Sequence, residues 1–376
     1  MRNSNHQKEN GGGKIRYAVV GLGHIAQNAI LPAFAHAQKN SALTALVSDD
    51  PAKLRVLSRQ YGVKNVFDYE DYDKCLASGG IDAVYIALPN SMHEDFCIRA
   101  ARAGIHVLCE KPLAGTKKEC KHIVKACRKF GVKLMTAYRL HFEHANLEAA
   151  EMIHSGKIGE PRIFNSTFSQ QVRPGNMRVK PRNEGGPLHD IGIYCINAAR
   201  YLFRAEPTQG VSFSASGKDP RFRKVDEMNS IILRFPEERL ASFTVSFGAT
   251  DTANYEVIGT KGKLRAVHGY EYSTPITLEL TADGRTHTKK YPLRDQFAPE
   301  LIYFSDCIQK GREPEPSGEE GLRDVRIIQS LHKSAKRGVP VRLQPLKDHH
   351  YPDLKQDIYR TKVDKRRLVH VSSPST

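Results

Sequence analysis

The feature that most limits how this chain can fold is Gly21-Leu22-Gly23-His24-Ile25-Ala26, which directly follows the apolar run Ile15-Arg16-Tyr17-Ala18-Val19-Val20. A short, mostly apolar run ending in glycine reads as a buried parallel strand. Gly21 allows a tight turn, Gly23 lets the backbone come close to a ligand, and the small Ala26 lets the next helix pack on the strand. The start of that helix offers free N–H groups and the positive end of its dipole to a phosphate. Gly21, Gly23, His24 and Ile25 are therefore candidate cofactor contacts.

Such a turn alone is a weak signal, but here it opens an alternating series. Strands are expected over 15–20, 42–47, 65–67, 82–88, 106–109 and 133–138, with helical spacing over 23–38, 51–61, 91–103 and 117–130. Six strands joined by crossovers predict an α/β Rossmann domain: an open, doubly wound parallel sheet with its ligand at the carboxyl ends of the strands. After Tyr138 the pattern changes. Phe243, Val245 and Phe247 alternate with Ser242, Thr244 and Ser246, the period of two of an antiparallel strand with one wet face. Further strands are expected within 162–170, 211–216, 227–235, 255–258 and 263–267, and helices over 146–155 and 321–337. The second half thus reads as an α+β domain on a large, mostly antiparallel open sheet. The expected division is a disordered arm over 1–13, the dinucleotide domain over 14–138, a substrate-binding and oligomerisation domain over 139–345, and a basic tail over 346–376.

Composition narrows the classes. At 376 residues, with 40% hydrophobic and 26% charged residues, the chain has room for two globular domains and is not a disordered protein. No stretch approaches the roughly 20 apolar residues of a membrane helix. The polar, glycine-rich start lacks the apolar core of a secretory signal. Seven cysteines, an odd number without a C-x-x-C pair, suit reduced thiols and a cytoplasmic location. The net charge of +16 is spread along the chain, and its densest run, Lys362 to Arg367, is broken by Asp364. Without a nucleic-acid-binding motif, this reads as a solvated basic surface that favours an anionic cofactor or substrate, not a nucleic acid partner.

The end of the second strand bears on cofactor choice. The residue after Val47 is Ser48, whose hydroxyl is compatible with a 2′-phosphate, and Lys53 could neutralise that charge; this favours NADP. If the strand runs one residue further, Asp49 becomes the ribose ligand and the preference flips to NAD. After the fifth strand, Glu110-Lys111-Pro112 places Lys111 at the sheet's carboxyl edge, and proline disfavours helical geometry there.

Gly21-x-Gly23, Pro89-Asn90-Ser91-x-His93, Glu110-Lys111-Pro112 and Gly185-Gly186-Pro187-Leu188-His189-Asp190-Ile191-Gly192-Ile193-Tyr194 together resemble the Gfo/Idh/MocA oxidoreductases, over Lys14 to about Leu343. Tyr138-Arg139-x-His141-Phe142-Glu143 and Gly318-Glu319-Glu320-Gly321-x-x-Asp324-Val325-Arg326 are most similar to the glucose–fructose oxidoreductase branch. The resemblance implies transfer of a hydride between NADP and a sugar or polyol, with Lys111, Asp190 and Tyr194 as the catalytic set. Many members carry histidine where Tyr194 stands. Asp190 and Tyr194, spaced i, i+4, would share one helix face. Tyr194 is the candidate proton relay, because a nearby cation favours the ionised form of a phenol. Lys111 would stabilise negative charge on the substrate oxygen, and Asp190 would orient the sugar. Leu88, Pro89, Asn90, His93, Glu110, Arg139 and Gln296 are expected around the nicotinamide, and Arg178 near the substrate. Met177 departs from the branch, which usually has an aromatic residue there. The resemblance further implies homodimers or homotetramers formed through the large sheet. It gives no reason for a metal, and His141-x-Glu143-His144 lacks a distant third ligand. The alternative function is a non-catalytic NAD(P)-binding sensor of the same fold.

Overall fold

The computed structural model describes residues 13–180, 185–344, 350–364 and 366–375, so the expected arm lies outside it except for Gly13. In β1 (Ile15–Val20), Tyr17 and Val19 point into one apolar layer and Ala18 and Val20 into another. A strand with no wet face needs cover on both sides, hence its nearly continuous apolar sequence. Five more strands complete a parallel sheet: β2 (Ser41–Val47), β3 (Asn65–Phe67), β4 (Ala83–Ile86), β5 (His106–Glu110) and β6 (Leu134–Ala137). Their order is β3-β2-β1-β4-β5-β6, which reverses between β1 and β4 and opens a crevice at that point.

The connections include α1 (Leu31–Ala33), α2 (Pro51–Tyr61), α3 (Tyr72–Ala77), α4 (Asn90–Arg102) and α5 (Lys117–Phe130). The continuous helix expected over 23–38 is instead a π-helical turn, Ala26–Ile30, followed by α1. Pro32 has no N–H to donate four residues back, and Leu31 N–H donates five residues back to Ala26.

The later chain forms α6 (His144–His154), β7 (Pro161–Ser169), α7 (Ile193–Phe203), β8 (Gln209–Ala215), β9 (Met228–Arg234), β10 (Leu240–Ser246), β11 (Thr252–Gly259), β12 (Gly262–Val267), β13 (Thr277–Ala282), β14 (Arg285–Lys290), α8 (Ala298–Gln309), α9 (Gly318–Arg337) and β15 (Val341–Arg342). The second sheet has the order β14-β13-β12-β11-β7-β10-β9-β8-β15 and is antiparallel except for the β7–β10 pair. One face packs on α6 and α7, and the other leaves Ile163, Phe213, Ile232 and Leu240 exposed. β13, β14 and α8 were not anticipated. β14 is exposed throughout, so it carries no apolar period to read.

The first sheet's core does not end with its last strand at residue 137. α8 returns to it through Leu301 and Phe304, and the Ser305 hydroxyl lies 2.8 Å from both Tyr17 Oη and Ser41 Oγ. On the opposite face α9 inserts Leu322 and Val325. The tail also departs from the expected solvated arm. Gln356 donates to the Glu315 carbonyl (2.8 Å), His144 pairs with Asp357 (2.7 Å), and Arg360 donates to the His36 carbonyl (2.9 Å). Its polar groups find partners on the folded body, which holds a segment that has little apolar surface of its own.

Candidate active site

The carboxyl ends of the first sheet and the edge of the second enclose a cleft of about 730 Å³, a size ordinary for a cofactor or substrate site. Its Rossmann wall is built from strand ends: Gly21 to Ile25 after β1, Ser48 and Asp49 after β2, Ala87 to Asn90 after β4, Glu110 and Lys111 at β5, and Ala137 and Arg139 after β6. The turn after β1 fits a closely approached anion. Gly21 has φ +91°, and a Cβ there would lie 2.5 Å from the Ala87 carbonyl oxygen, so only glycine fits.

At the adenosine end, β2 stops at Val47 and Ser48 is nearly buried, its hydroxyl accepting from Asp50 N–H (3.2 Å). Asp50 turns away to cap α2, accepting from Ala52 N–H (2.9 Å) and Lys53 N–H (3.0 Å). Asp49 and Lys53 both line the cleft, so the acidic ribose ligand and the phosphate partner weighed from sequence are both present.

At the opposite end, Lys111 Nζ donates to the Asp190 carbonyl (2.7 Å) and to Asp190 Oδ1 (3.0 Å). It also lies 4.7 Å from the centre of the Tyr194 ring. The Arg139 guanidinium stands 5.0 Å from the same ring and 5.2 Å from that of Tyr272. Arg178 Nε donates to Asp190 Oδ2 (2.5 Å). Burial alone would raise the Asp190 carboxyl, but Arg178 and Lys111 outweigh it and hold the group well below the usual carboxylate range. Burial works to lower Lys111, and Asp190, Tyr194 and Glu110 together more than offset it, keeping the ammonium charged. Burial, with Arg178 nearby, lowers His24, so its ring stays neutral.

Asp190 sits in a π-helical turn, Leu188–Gly192, that runs into α7 with Tyr194, and both side chains reach the cleft. Gly185 closes the preceding loop: a Cβ there would lie 2.3 Å from the Arg178 carbonyl oxygen. Residues 181–184 of this loop lie outside the described residues.

Of the expected site residues, His93 and Gln296 do not line the cleft. His93 is fully buried, with Nε2 2.9 Å from the Leu88 carbonyl and Nδ1 3.0 Å from that of Pro112. It braces the end of β4 against the turn carrying Lys111, because the first turn of α4 points it under the sheet edge. Gln296 is buried behind Arg139, accepting from its Nη1 (2.5 Å) and donating to the Glu271 carbonyl (3.0 Å); its neighbour Phe297 reaches the cleft instead. Sequence reading missed Asn28, Tyr69, Met92, Phe168, Gln170, Asp251, Tyr270 to Ser273, and Ser373 to Ser375. Asn28 lies four residues beyond His24 on the same helical segment and could have been found. The others carry no local signal.

The motifs that begin at Tyr138 and at Gly318 converge with Asn197 and Arg200 of α7 in one buried cluster. Tyr138 donates to Asp324 (2.7 Å), and His141 Nε2 lies 2.7 Å from Asn197 Oδ1. Asn197 donates to Asp324 (2.9 Å) and Glu320 (3.1 Å). Arg200, almost fully buried, donates to Glu320 (2.6 Å), Asp324 (2.7 Å) and Glu206 (2.6 Å). Burial pushes Asp324 up to about 6 despite Arg200, and His141 down to about 4. The cluster fastens α7 to α9 one turn beyond Tyr194.

Comparison with known proteins agrees with this architecture. Residues 15–138 match the GFO/IDH/MocA oxidoreductase family with NAD-binding Rossmann fold, and residues 146–265 match a GFO/IDH/MocA C-terminal domain. D-xylose 1-dehydrogenase (NADP(+)) of Haloarcula marismortui is 31% identical over 88% of this chain and 93% of its own length. The structure of aldose-aldose oxidoreductase from Caulobacter crescentus, complexed with glycerol, superimposes with a TM-score of 0.84 at 35% identity, covering 88% of this chain and 100% of that one. A point mutant of a 3-ketoreductase from Actinomadura kijaniata, in complex with TDP-benzene and NADP, gives a TM-score of 0.78 at 26% identity over 86% and 98% of the two chains. With both domains matched in order, the chain belongs to the GFO/IDH/MocA family of oxidoreductases.

Proposed function

We propose that the protein is an NADP-dependent oxidoreductase that transfers a hydride between the nicotinamide and a hydroxyl or carbonyl carbon of a sugar or polyol. The observation that carries this reading is the charged Lys111 ammonium, fixed by Asp190 against the Tyr194 ring at the sheet's carboxyl edge. The names of the xylose dehydrogenase and the aldose-aldose oxidoreductase support the sugar class.

Gly21, Gly23, His24 and Ile25 would hold the pyrophosphate, Ser48 and Lys53 the 2′-phosphate, and Leu88, Pro89, Asn90, Glu110 and Arg139 the nicotinamide end. The bound dinucleotide supplies the hydride donor or acceptor. Lys111 donates a hydrogen bond to the reacting oxygen and stabilises negative charge on it. Tyr194 takes the hydroxyl proton as hydride leaves the carbon, and returns it to the carbonyl oxygen in the reverse direction. Asp190, ionised, holds Lys111 and Arg178 in place and accepts from a neighbouring sugar hydroxyl. Arg178 closes the substrate side.

Adding a panel of aldoses and polyols to the protein with NADP, and following reduced-nicotinamide absorbance, tests this. Turnover that Tyr194→Phe abolishes supports the reading. Cofactor binding with no redox change on any sugar favours the sensor. Seven buried free cysteines support a cytoplasmic location, and the exposed apolar residues of β7, β8, β9 and β10 support a homodimer or homotetramer joined through the open sheet face.

A further inference from the structure

The segment after Leu368 takes no part in either sheet, yet it is held on both sides of the cleft. On the Rossmann side the Gln27 amide grips the backbone of Val369 in both directions: Val369 N–H donates to Oε1 (2.7 Å), and Nε2 donates to the Val369 carbonyl (2.9 Å). The same Nε2 donates to the Leu22 carbonyl (2.8 Å), within the glycine turn itself. Gln27 is 2% exposed, so this link is shielded from water. The next residue, His370, lies 3.0 Å from Asp50 at the adenosine end. It has φ 49°, a left-handed conformation that a residue with a Cβ adopts at a cost and that turns the chain sharply. The segment then reaches the other wall. Arg173 N–H donates to the Pro374 carbonyl (3.0 Å), and Ser375 forms an antiparallel bridge with Val172, five residues before the loop's Met177. Between these anchors Ser373, Pro374 and Ser375 line the same cleft as the glycine turn, Lys53 and Arg178.

We propose that residues 369–375 form a strap that completes the dinucleotide site and slows release of the cofactor. This rests on the reading of the cleft as a nicotinamide dinucleotide site. Crossing from the glycine turn to Val172, the strap covers the phosphate-binding part of the cleft and brings two seryl hydroxyls to it, groups suited to phosphate or ribose oxygens. A bound dinucleotide cannot leave along that side until one anchor opens. The anchors are a few hydrogen bonds, each contributing modestly, so opening is reversible.

Two variants test this: a stop after Leu368, and a full-length chain with 369–375 replaced by seven prolines, which have no N–H to donate, no hydroxyl, and no access to the left-handed turn at 370. NADPH release is followed by fluorescence during a chase with excess NADP+. The strap predicts release faster by about tenfold or more in both variants, the equivalent of losing one or two anchoring hydrogen bonds. The rate of hydride transfer with saturating cofactor stays within about twofold, because Lys111 and Asp190 are held by one another and by Arg178, not by the strap. Release unchanged within twofold in the equal-length variant overturns the strap while leaving the oxidoreductase reading intact. Failure of the intact chain to bind NADP or NAD overturns both. Should either variant fail to fold, hydrogen exchange on the intact chain decides. Saturating NADP should slow exchange of the 369–375 amides by about tenfold or more if opening must precede release, and unchanged exchange overturns the proposal.

Discussion

The two walls of the cleft are built by different rules. On the Rossmann wall, each contribution is a short contiguous run at a strand end, and much of it is backbone: the Gly21 turn, the Ala87 to Asn90 segment, the Glu110-Lys111-Pro112 turn. The other wall draws single side chains from distant places, among them Phe168, Arg178, Asp190, Tyr194, Asp251, Tyr272 and Ser375. A wall of backbone needs glycine and proline at fixed spacings, whereas a wall of side chains needs only that its supports hold. Those supports are non-local. Arg200, Glu320, Asp324 and Asn197 hold the helix of Tyr194, and Gln296 holds Arg139. The second wall should therefore be broken from far away, the first mainly by changes in its own turns.

The largest test of that contrast is Arg200→Leu. It strands three buried carboxylates and should cost about 3–5 kcal/mol of stability by denaturant unfolding, although Arg200 lies behind α7 and not in the cleft. A loss below about 1 kcal/mol would mean that the cluster does not hold the second wall. Next comes Lys111→Met, which would remove the hydrogen bond proposed to the reacting oxygen. We expect kcat/KM for sugar to fall about 10²–10³-fold while the NADP dissociation constant changes little. A comparable loss of NADP affinity would show that Lys111 serves the cofactor wall instead. Lys53→Ala should weaken NADP by roughly tenfold and leave NAD nearly unchanged, as expected for one partly buried charge partner of a 2′-phosphate. Equal weakening of both would hand the ribose to Asp49.

A further test concerns support of the first wall. His106 Nδ1 accepts from Lys133 N–H (3.0 Å) between β5 and β6, and burial lowers the ring to about 4. Its unfolded value is near 6.5. The unfolded chain therefore takes up the proton first, and this contribution is complete above pH 6.5 and lost as pH falls toward 4. The variant His106→Asn keeps an acceptor but does not titrate. The wild type should lose stability relative to it by up to about 1 kcal/mol per pH unit over that window, with no difference in slope above pH 7. A constant gap across the window would show that His106 titrates alike in both states.

What could be read ahead followed this division. The strands of the first sheet, its glycine turn and the lysine turn after β5 were legible, because parallel strands buried on both faces and phosphate turns leave their requirements in adjacent residues. The resemblance put His93 and Gln296 beside the nicotinamide, but a resemblance says which residues are constrained, not which atoms they face. His93 spends both ring nitrogens beside carbonyls of Leu88 and Pro112, and Gln296 spends its amide on Arg139 and Glu271.

The sequence by itself determined a dinucleotide-binding α/β domain and an α+β partner. Local sterics and hydrophobic period suffice for such features, since only glycine fits at Gly21 and only apolar residues fill a strand covered on both sides. Tertiary structure alone decided that α8 and α9 return to cover the first sheet, that two separate motifs meet α7 in one buried charge cluster, and that residues 369–375 cross the cleft. Each depends on groups far apart in the chain, and a polar segment such as the last one has no periodicity to announce it. Its place is set by the unpaired donors and acceptors, at Gln27 and at Arg173, that the rest of the fold leaves at the cleft's two edges.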